Sequence, residues 1–288
     1  MNDLVSIYIP TKNRLPLLRR AIASVLGQTV RNIELIVVSD GASDGTCEYV
    51  ESLAGGEISV RLIHNEQSRG ACTARNQALE VARGTFVTGL DDDDFFMPHR
   101  IERFLTRWHE LEAKGTQFSC LFDTCVVDEG ARIYVINPYP TVNVEQILYA
   151  NRIGNQVFTR LERLREIGFY DPSMPAWQDW ETWVRLLKRY GTAYNIEAKT
   201  YYADVTHEFG RISLQSQEKI LNAARQFYQR HCSPKELKGP LQAISGYPQI
   251  ELTVQDLWQL CADRRYKTVW EKIVGGKASL SLASSIAR

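Results

Sequence analysis

Between Leu4 and Asp94 the chain alternates four times between a short apolar run and an amphipathic stretch of helical period, and the fourth run leads into Asp91-Asp92-Asp93-Asp94. Leu4 to Ile9 is rich in Ile and Val and stopped by Pro10, the pattern of a strand buried on both faces of a parallel sheet. Pro16 then suits a first helical turn, Leu17, Leu18, Ala21, Ile22, Val25 and Leu26 make one apolar stripe, and Gly27 ends it. Ile33 to Val38 repeats the strand signature, and Ser39-Asp40-Gly41 turns it. Ser43 or Asp44 is expected to cap a second helix, followed by a strand over Val60 to Ile63, a helix over Ala71 to Arg83 closed by Gly84, and a strand over Thr85 to Leu90. This order predicts an α/β fold with a doubly wound, mainly parallel sheet, whose ligand crevice lies at the carboxyl ends of the strands. Pro10-Thr11, Ser39-Asp40 and the aspartate run all fall at such ends.

Downstream, an amphipathic helix is expected from Pro98 to about Lys114, strand-like segments over Phe118 to Val127 and Ile133 to Ile136, and a helix over Gln178 to Arg189. From Ser213 the pattern turns mostly helical, so the chain reads as a domain over 1–213 and a helical C-terminal extension over 214–288. Lys and Arg total 34 and Asp and Glu total 34, which leaves no basic field for nucleic acid and makes any anion site local. The six cysteines form no C-x-x-C pair and read as reduced, small apolar residues of a cytoplasmic protein. Neither a signal core nor an apolar run of roughly 18 residues is present.

Four adjacent carboxylates at a strand end repel one another and call for a compensating cation, and hard oxygen ligands of this kind suit Mn2+ or Mg2+. The competing reading is a solvated acidic turn ahead of the Pro98 helix. A nicotinamide oxidoreductase would share the sheet, but it needs a Gly-rich turn after the first strand, where this chain has Pro10-Thr11-Lys12-Asn13.

Five blocks together, Ser6 to Arg14, Ser24 to Thr29, Val37 to Thr46, Arg69-Gly70 with Ala74-Arg75-Asn76, and Leu90 to Asp94, resemble the family-2 inverting glycosyltransferases of the GT-A, Rossmann-like fold. Gln178-Asp179-Trp180-Glu181 resembles that family's acidic motif ahead of the acceptor-side helix, although Gln178 stands where a Glu is common. The resemblance implies transfer of a sugar from a nucleotide-diphosphate sugar, most readily a UDP-sugar, to a saccharide or polyprenyl-linked acceptor, in the manner of O-antigen and other surface-polysaccharide synthesis. It implies that Pro10, Thr11 and Asn13 line the nucleotide, that Asp40 accepts a hydrogen bond from the base, and that Arg75 supports the nucleotide or the aspartate run. Asp91 then faces the ribose, Asp93 holds the metal, and Asp92 is a candidate for either task.

Asp179 is the expected catalytic base, since displacement at an anomeric carbon needs a carboxylate to take the acceptor's proton; Glu181 is the alternative. The stretch Val205 to Ser213 resembles the family segment in which a histidine can complete the metal site and a basic residue can reach the diphosphate, which implies His207 as a candidate metal ligand and Arg211 as a candidate diphosphate contact. Trp177 and Trp180 flank the base and could stack on a sugar ring, with burial as the competing role. Aromatic and basic residues mixed along 258–277 suit either a helical cap or a peripheral contact at the inner face of the cytoplasmic membrane; a homo-oligomer is equally compatible. The reading from a different class is a non-catalytic sugar-nucleotide-binding or scaffold subunit, which Gln178 alone favours.

Overall fold

The buried strands at the start of the chain set the architecture. In a computed structural model, which describes residues 3–207 and 216–232 together with Ile244, Tyr247 and Ile250, β1 (Val5–Thr11) is buried at every position but Pro10 and β2 (Ile33–Asp40) at all eight. Such strands need cover on both faces. The chain continues as α1 (Leu15–Leu26) between them, then α2 (Thr46–Glu51), β3 (Ser59–Asn65), α3 (Ala71–Val81), β4 (Phe86–Gly89), β5 (Phe95–Phe96) and α4 (Arg100–Ala113). Then come β6 (Leu121–Phe122), β7 (Cys125–Asp128), β8 (Ile133–Ile136), β9 (Thr141–Val142), α5 (Val144–Tyr149), β10 (Phe158–Arg160), α6 (Leu161–Glu166), α7 (Gln178–Tyr190), β11 (Ala193–Asn195), β12 (Tyr201–Asp204) and α8 (Gln217–His231).

Eight strands form the main sheet in the order β3-β2-β1-β4-β10-β6-β11-β9, and β5-β12-β7-β8 form a second one. β1, β2, β3 and β4 run parallel, while β10 enters antiparallel beside β4. The register pairs Thr11 with Ser39 and Asp40 with Asn65, so these side chains meet at one edge. The α1 stripe Leu18, Ala21, Ile22 and Val25 is fully buried, and on α4 Phe104 and Trp108 pack with Phe86 and Phe158.

Two expectations are corrected. The span from Phe118 to Val127 is not one strand: the chain breaks at Asp123, and β6 joins the main sheet while β7 joins the small one. The cause is the buried Asp123 carboxylate, which accepts the backbone N–H of Ala198, Lys199 and Thr200 and the Thr200 hydroxyl, and pairs with the equally buried Arg100. Neither Ser43 nor Asp44 caps α2, whose N-cap is Gly45 at φ +85°. Asp44 instead accepts the Leu15 N–H at 2.8 Å, serving the first turn of α1.

The chain divides into two compact units. Residues 1–147, 151–173 and 178–209 form the first; residues 148–150, 174–177 and those from 210 onward belong to the second. The second unit thus starts at 210 and takes two short segments from the expected first domain. Of its described residues, α8 buries Ile220, Ala223, Ala224, Phe227 and Tyr228. No helix among the described residues is long and apolar enough to cross a membrane.

Candidate active site

At the carboxyl edge of the parallel strands, Asp40 is buried and fully engaged. Its oxygens accept from the Asn65 amide at 2.9 Å, the Ser68 hydroxyl at 2.8 Å, and the backbone N–H groups of Arg69 at 2.8 Å and Gly70 at 2.9 Å. Burial pushes this carboxyl up, but the four donors outweigh it and hold the group below its ordinary range. Gly41 beside it has φ +75°, and a Cβ there would stand 2.7 Å from the Ser68 backbone nitrogen. A bound base would have to share or displace one of these donors. Asn13, also in the left-handed region at φ 53°, accepts the Ser43 N–H at 2.8 Å. Thus the loops after β1 and β2 are joined at the edge where the expected nucleotide residues lie.

The aspartate run spreads its four carboxylates among different partners. Asp91 accepts from Arg75 at 3.1 Å, Asn155 at 2.7 Å and Gln156 at 3.1 Å. Asp92 accepts the Thr11 hydroxyl at 2.7 Å, and one Arg14 nitrogen bridges Asp92 and Asp93, 3.1 Å from each. Asp93 also faces His207 Nε2 at 3.2 Å. Asp94 accepts the Tyr201 hydroxyl at 2.6 Å and the Asp204 N–H at 3.1 Å, which ties the run to β12 and turns Asp94 to structural use. Arg20 adds a second tether, from the Asp93 carbonyl to the Asp204 carboxylate.

This crowding raises the acids. Burial pushes Asp92 up to about 6, with Asp93 and Asp91 adding to it against Thr11 and Arg14. Asp93 is raised by burial and by Asp91, and Asp94 goes well above its ordinary value by burial, Asp91 and Asp93. A site short of positive charge is one that a divalent cation would relieve. Asp93 Oδ2 and His207 Nε2 stand 3.2 Å apart, about the separation of two adjacent ligands each roughly 2.1 Å from one octahedral ion. Among the described residues no group of three or more His, Cys, Asp or Glu is arranged to hold a metal by itself. Any ion held by Asp93 and His207 would therefore need further ligands from outside this pair.

Asp179 opens α7, where a carboxylate is favoured. Burial pushes it up to about 6, opposed chiefly by the Arg75 charge, and Asn151 Nδ2 lies 3.3 Å from its Oδ2. Arg75, itself buried, thus serves Asp91 by a hydrogen bond and Asp179 by its field. Glu181 is not so placed: its buried carboxylate is gripped by Arg185 at 2.8–3.0 Å, and the same guanidinium donates to the Ile167 and Phe169 carbonyls. That engagement pins α7 to the preceding loop and argues against Glu181 as the base. Trp180 is buried and donates to the Ile147 carbonyl at 2.6 Å, so burial is its role. Trp177 lies in the second unit, stacked on Tyr247, whose hydroxyl accepts its N–H at 2.6 Å. Arg211 lies outside the described residues, as does the 258–277 stretch.

Arg14, Asn151, Asn155 and Gln156 were not singled out from the sequence. Arg14 belongs to the opening block, but the other three sit in a loop with no periodicity and no motif to reveal them. Gly89 gives a hint after the fact, because a Cβ there would overlap Gln156 Oε1 at 2.0 Å and the Tyr8 ring at 2.6 Å.

Comparison with known proteins shows the family and the fold. The model of the family described as glycosyl transferase family 2 matches residues 6–173, a span that ends before Asp179 and His207. The chain is 34% identical over 237 residues to WcaA of Escherichia coli (strain K12), named for colanic acid biosynthesis, covering 80% of this chain and 82% of that one. It is 27% identical to TuaG of Bacillus subtilis (strain 168), named for teichuronic acid biosynthesis, over 67% of this chain and 75% of that one. Among solved structures, S. aureus TarS 1-349 in complex with UDP-GlcNAc superposes with a TM-score of 0.66 at 15% identity, covering 95% of this chain and 92% of that one. The mannosyltransferase PcManGT of Pyrobaculum calidifontis, in complex with GDP-Man and Mn2+, does so with a TM-score of 0.58 at 16% identity, covering 95% and 85%. At these identities the two structures speak for the shared GT-A fold.

Proposed function

The chain belongs to glycosyl transferase family 2, and from that premise we propose that this enzyme moves a sugar from a UDP-sugar to a hydroxyl of a saccharide or polyprenyl-linked acceptor, with inversion and with Asp179 as the base. The observation that carries the reading is the convergence of Asp91 and Asp179, from distant parts of the sequence, on the buried Arg75. A carboxylate raised to about 6 is a better proton acceptor than a surface aspartate and is still ionised at neutral pH.

In this reading Pro10, Thr11, Asn13, Asp40 and Arg75 build the nucleotide side, Asp91 faces the ribose, and Asp92 keeps the loop after β1 docked through Thr11 and Arg14. Asp93 and His207 would hold Mn2+ or Mg2+, which when bound neutralises charge on the departing diphosphate. The chain's own residues do the rest: they order the donor against the sheet edge and hold the Asp179 carboxyl at about 6. The catalytic part is residues 1–213, and 214–288 is an extension to it. A nucleotide-sugar donor supports a cytoplasmic setting, and a lipid-linked acceptor would add peripheral contact at the inner face of the cytoplasmic membrane. The names of WcaA and TuaG, both tied to surface polysaccharides, support that setting.

A panel of UDP-, GDP- and TDP-sugars tests the proposal by release of the nucleoside diphosphate. Release from one UDP-sugar with Mn2+, abolished by chelator, and a product of inverted anomeric configuration are expected. Release unaffected by chelator, or a product of retained configuration, would contradict it.

A further inference from the structure

We infer that the loop over residues 151–157 is a positioning element that sets the donor-side carboxylate and the base together, with Asn155 and Gln156 fixing Asp91 and Asn151 fixing Asp179. The inference rests on the reading of Asp179 as the base and deepens it.

The loop touches both groups with amide donors. Asn155 Nδ2 lies 2.7 Å from one oxygen of Asp91, and Gln156 Nε2 lies 3.1 Å from the other. Each amide is itself anchored, Asn155 by the Tyr201 hydroxyl at 3.0 Å and Gln156 by accepting from the Tyr8 hydroxyl at 3.2 Å. A carboxylate held on both oxygens has one orientation, whereas Arg75 alone, reaching only Oδ1, would leave it free to rotate.

At the other end of the loop, Asn151 accepts the N–H of Ile153 at 3.2 Å and of Gly154 at 3.0 Å, an Asx-type turn. Its amide nitrogen donates to the Gly154 carbonyl at 3.0 Å and lies 3.3 Å from Asp179. Gly154 has φ +105°, open to glycine almost alone, and its carbonyl also accepts the Trp183 N–H from α7 at 3.0 Å. The loop is therefore stapled to the helix that carries the base. Asp91 and Asp179 are far apart in sequence and stand on separate elements, so their mutual alignment depends on something that touches both. In-line displacement is sensitive to such alignment.

The groups acting on Asp179 come from several elements: Arg75 and Cys72 on α3, Tyr8 on β1, Asp91 after β4, and Tyr170. Arg75 and the backbone N–H groups of Trp180 and Asp179 favour the ionised form, and Asn151 adds a side-chain donor to them at 3.3 Å.

Two variants separate a positioning loop from a merely structural one. Asn151→Ser keeps an oxygen acceptor for the turn, adds no charge and removes the amide donor to Asp179, so carbon-13 carboxyl titration should show Asp179 moving up by about half a unit or more. UDP affinity with Mn2+ should stay within about twofold of wild type. Asn155→Ala should weaken UDP about tenfold, the scale of one charge-assisted hydrogen bond, and leave the Asp179 titration unchanged. If Asn151→Ser leaves that titration where it is, or if each variant moves both readouts in proportion to lost thermal stability, the inference is wrong. Absence of turnover or of UDP binding in the wild type would sink the family-based reading instead, while the titration still decides this one.

Discussion

Asp179 takes up its proton near pH 6, so kcat/KM should rise with pH through about 6 and level off above it. Asp179→Asn should abolish this limb and lower turnover by at least about a hundredfold, the usual scale of general-base catalysis. The same residue has a stability signature of opposite sign. Its folded value lies above its ordinary 3.8, so the native state holds the extra proton and loses stability as pH climbs from about 4 to 6. At pH 8 the substitution should therefore stabilise the fold by something on the order of 2–3 kcal/mol, and at pH 3.5 by almost nothing. Thermal unfolding at both pH values checks this; equal effects at the two would show that Asp179 is not perturbed. Residue identity in the aspartate run was only half legible from sequence. The spacing of Asp91 and Asp93 is a linear pattern, but the clasp of Asp94 to Tyr201 and the capture of Glu181 by Arg185 depend on residues brought in by tertiary packing.

At the scale of elements, periodicity located β1, β2, β4 and α1 because each is buried on a face that its own sequence declares, whereas the two-residue β5 carried no such pattern. It failed at Asp123, where an apolar stretch is cut by one buried carboxylate serving three backbone N–H groups from the 198–200 segment. No local pattern announces a partner seventy-odd residues away. The end of β4 carries a comparable hidden constraint. Gly89 lets Gln156 and Tyr8 meet over the strand, so Gly89→Ala should cost about 1–3 kcal/mol by overpacking and weaken nucleotide binding as Gln156 shifts. A melting temperature within a degree of wild type, with unchanged UDP affinity, would show that the contact yields without consequence.

Across the whole molecule, the balanced composition hides a strongly uneven interior. Acids gather at one end of the sheet, where Arg14 and Arg75 offset only part of their charge. The central claim is that this deficit is filled by a divalent ion held between Asp93 and His207 and completed by a nucleoside diphosphate. Electron paramagnetic resonance of free Mn2+ measures it most directly. Adding UDP to the wild-type protein with Mn2+ should deplete the free-ion signal beyond what UDP alone does in buffer, and that excess should vanish in Asp93→Asn. A signal depleted no further than by UDP alone, or one that Asp93→Asn depletes as fully as wild type, would contradict the account.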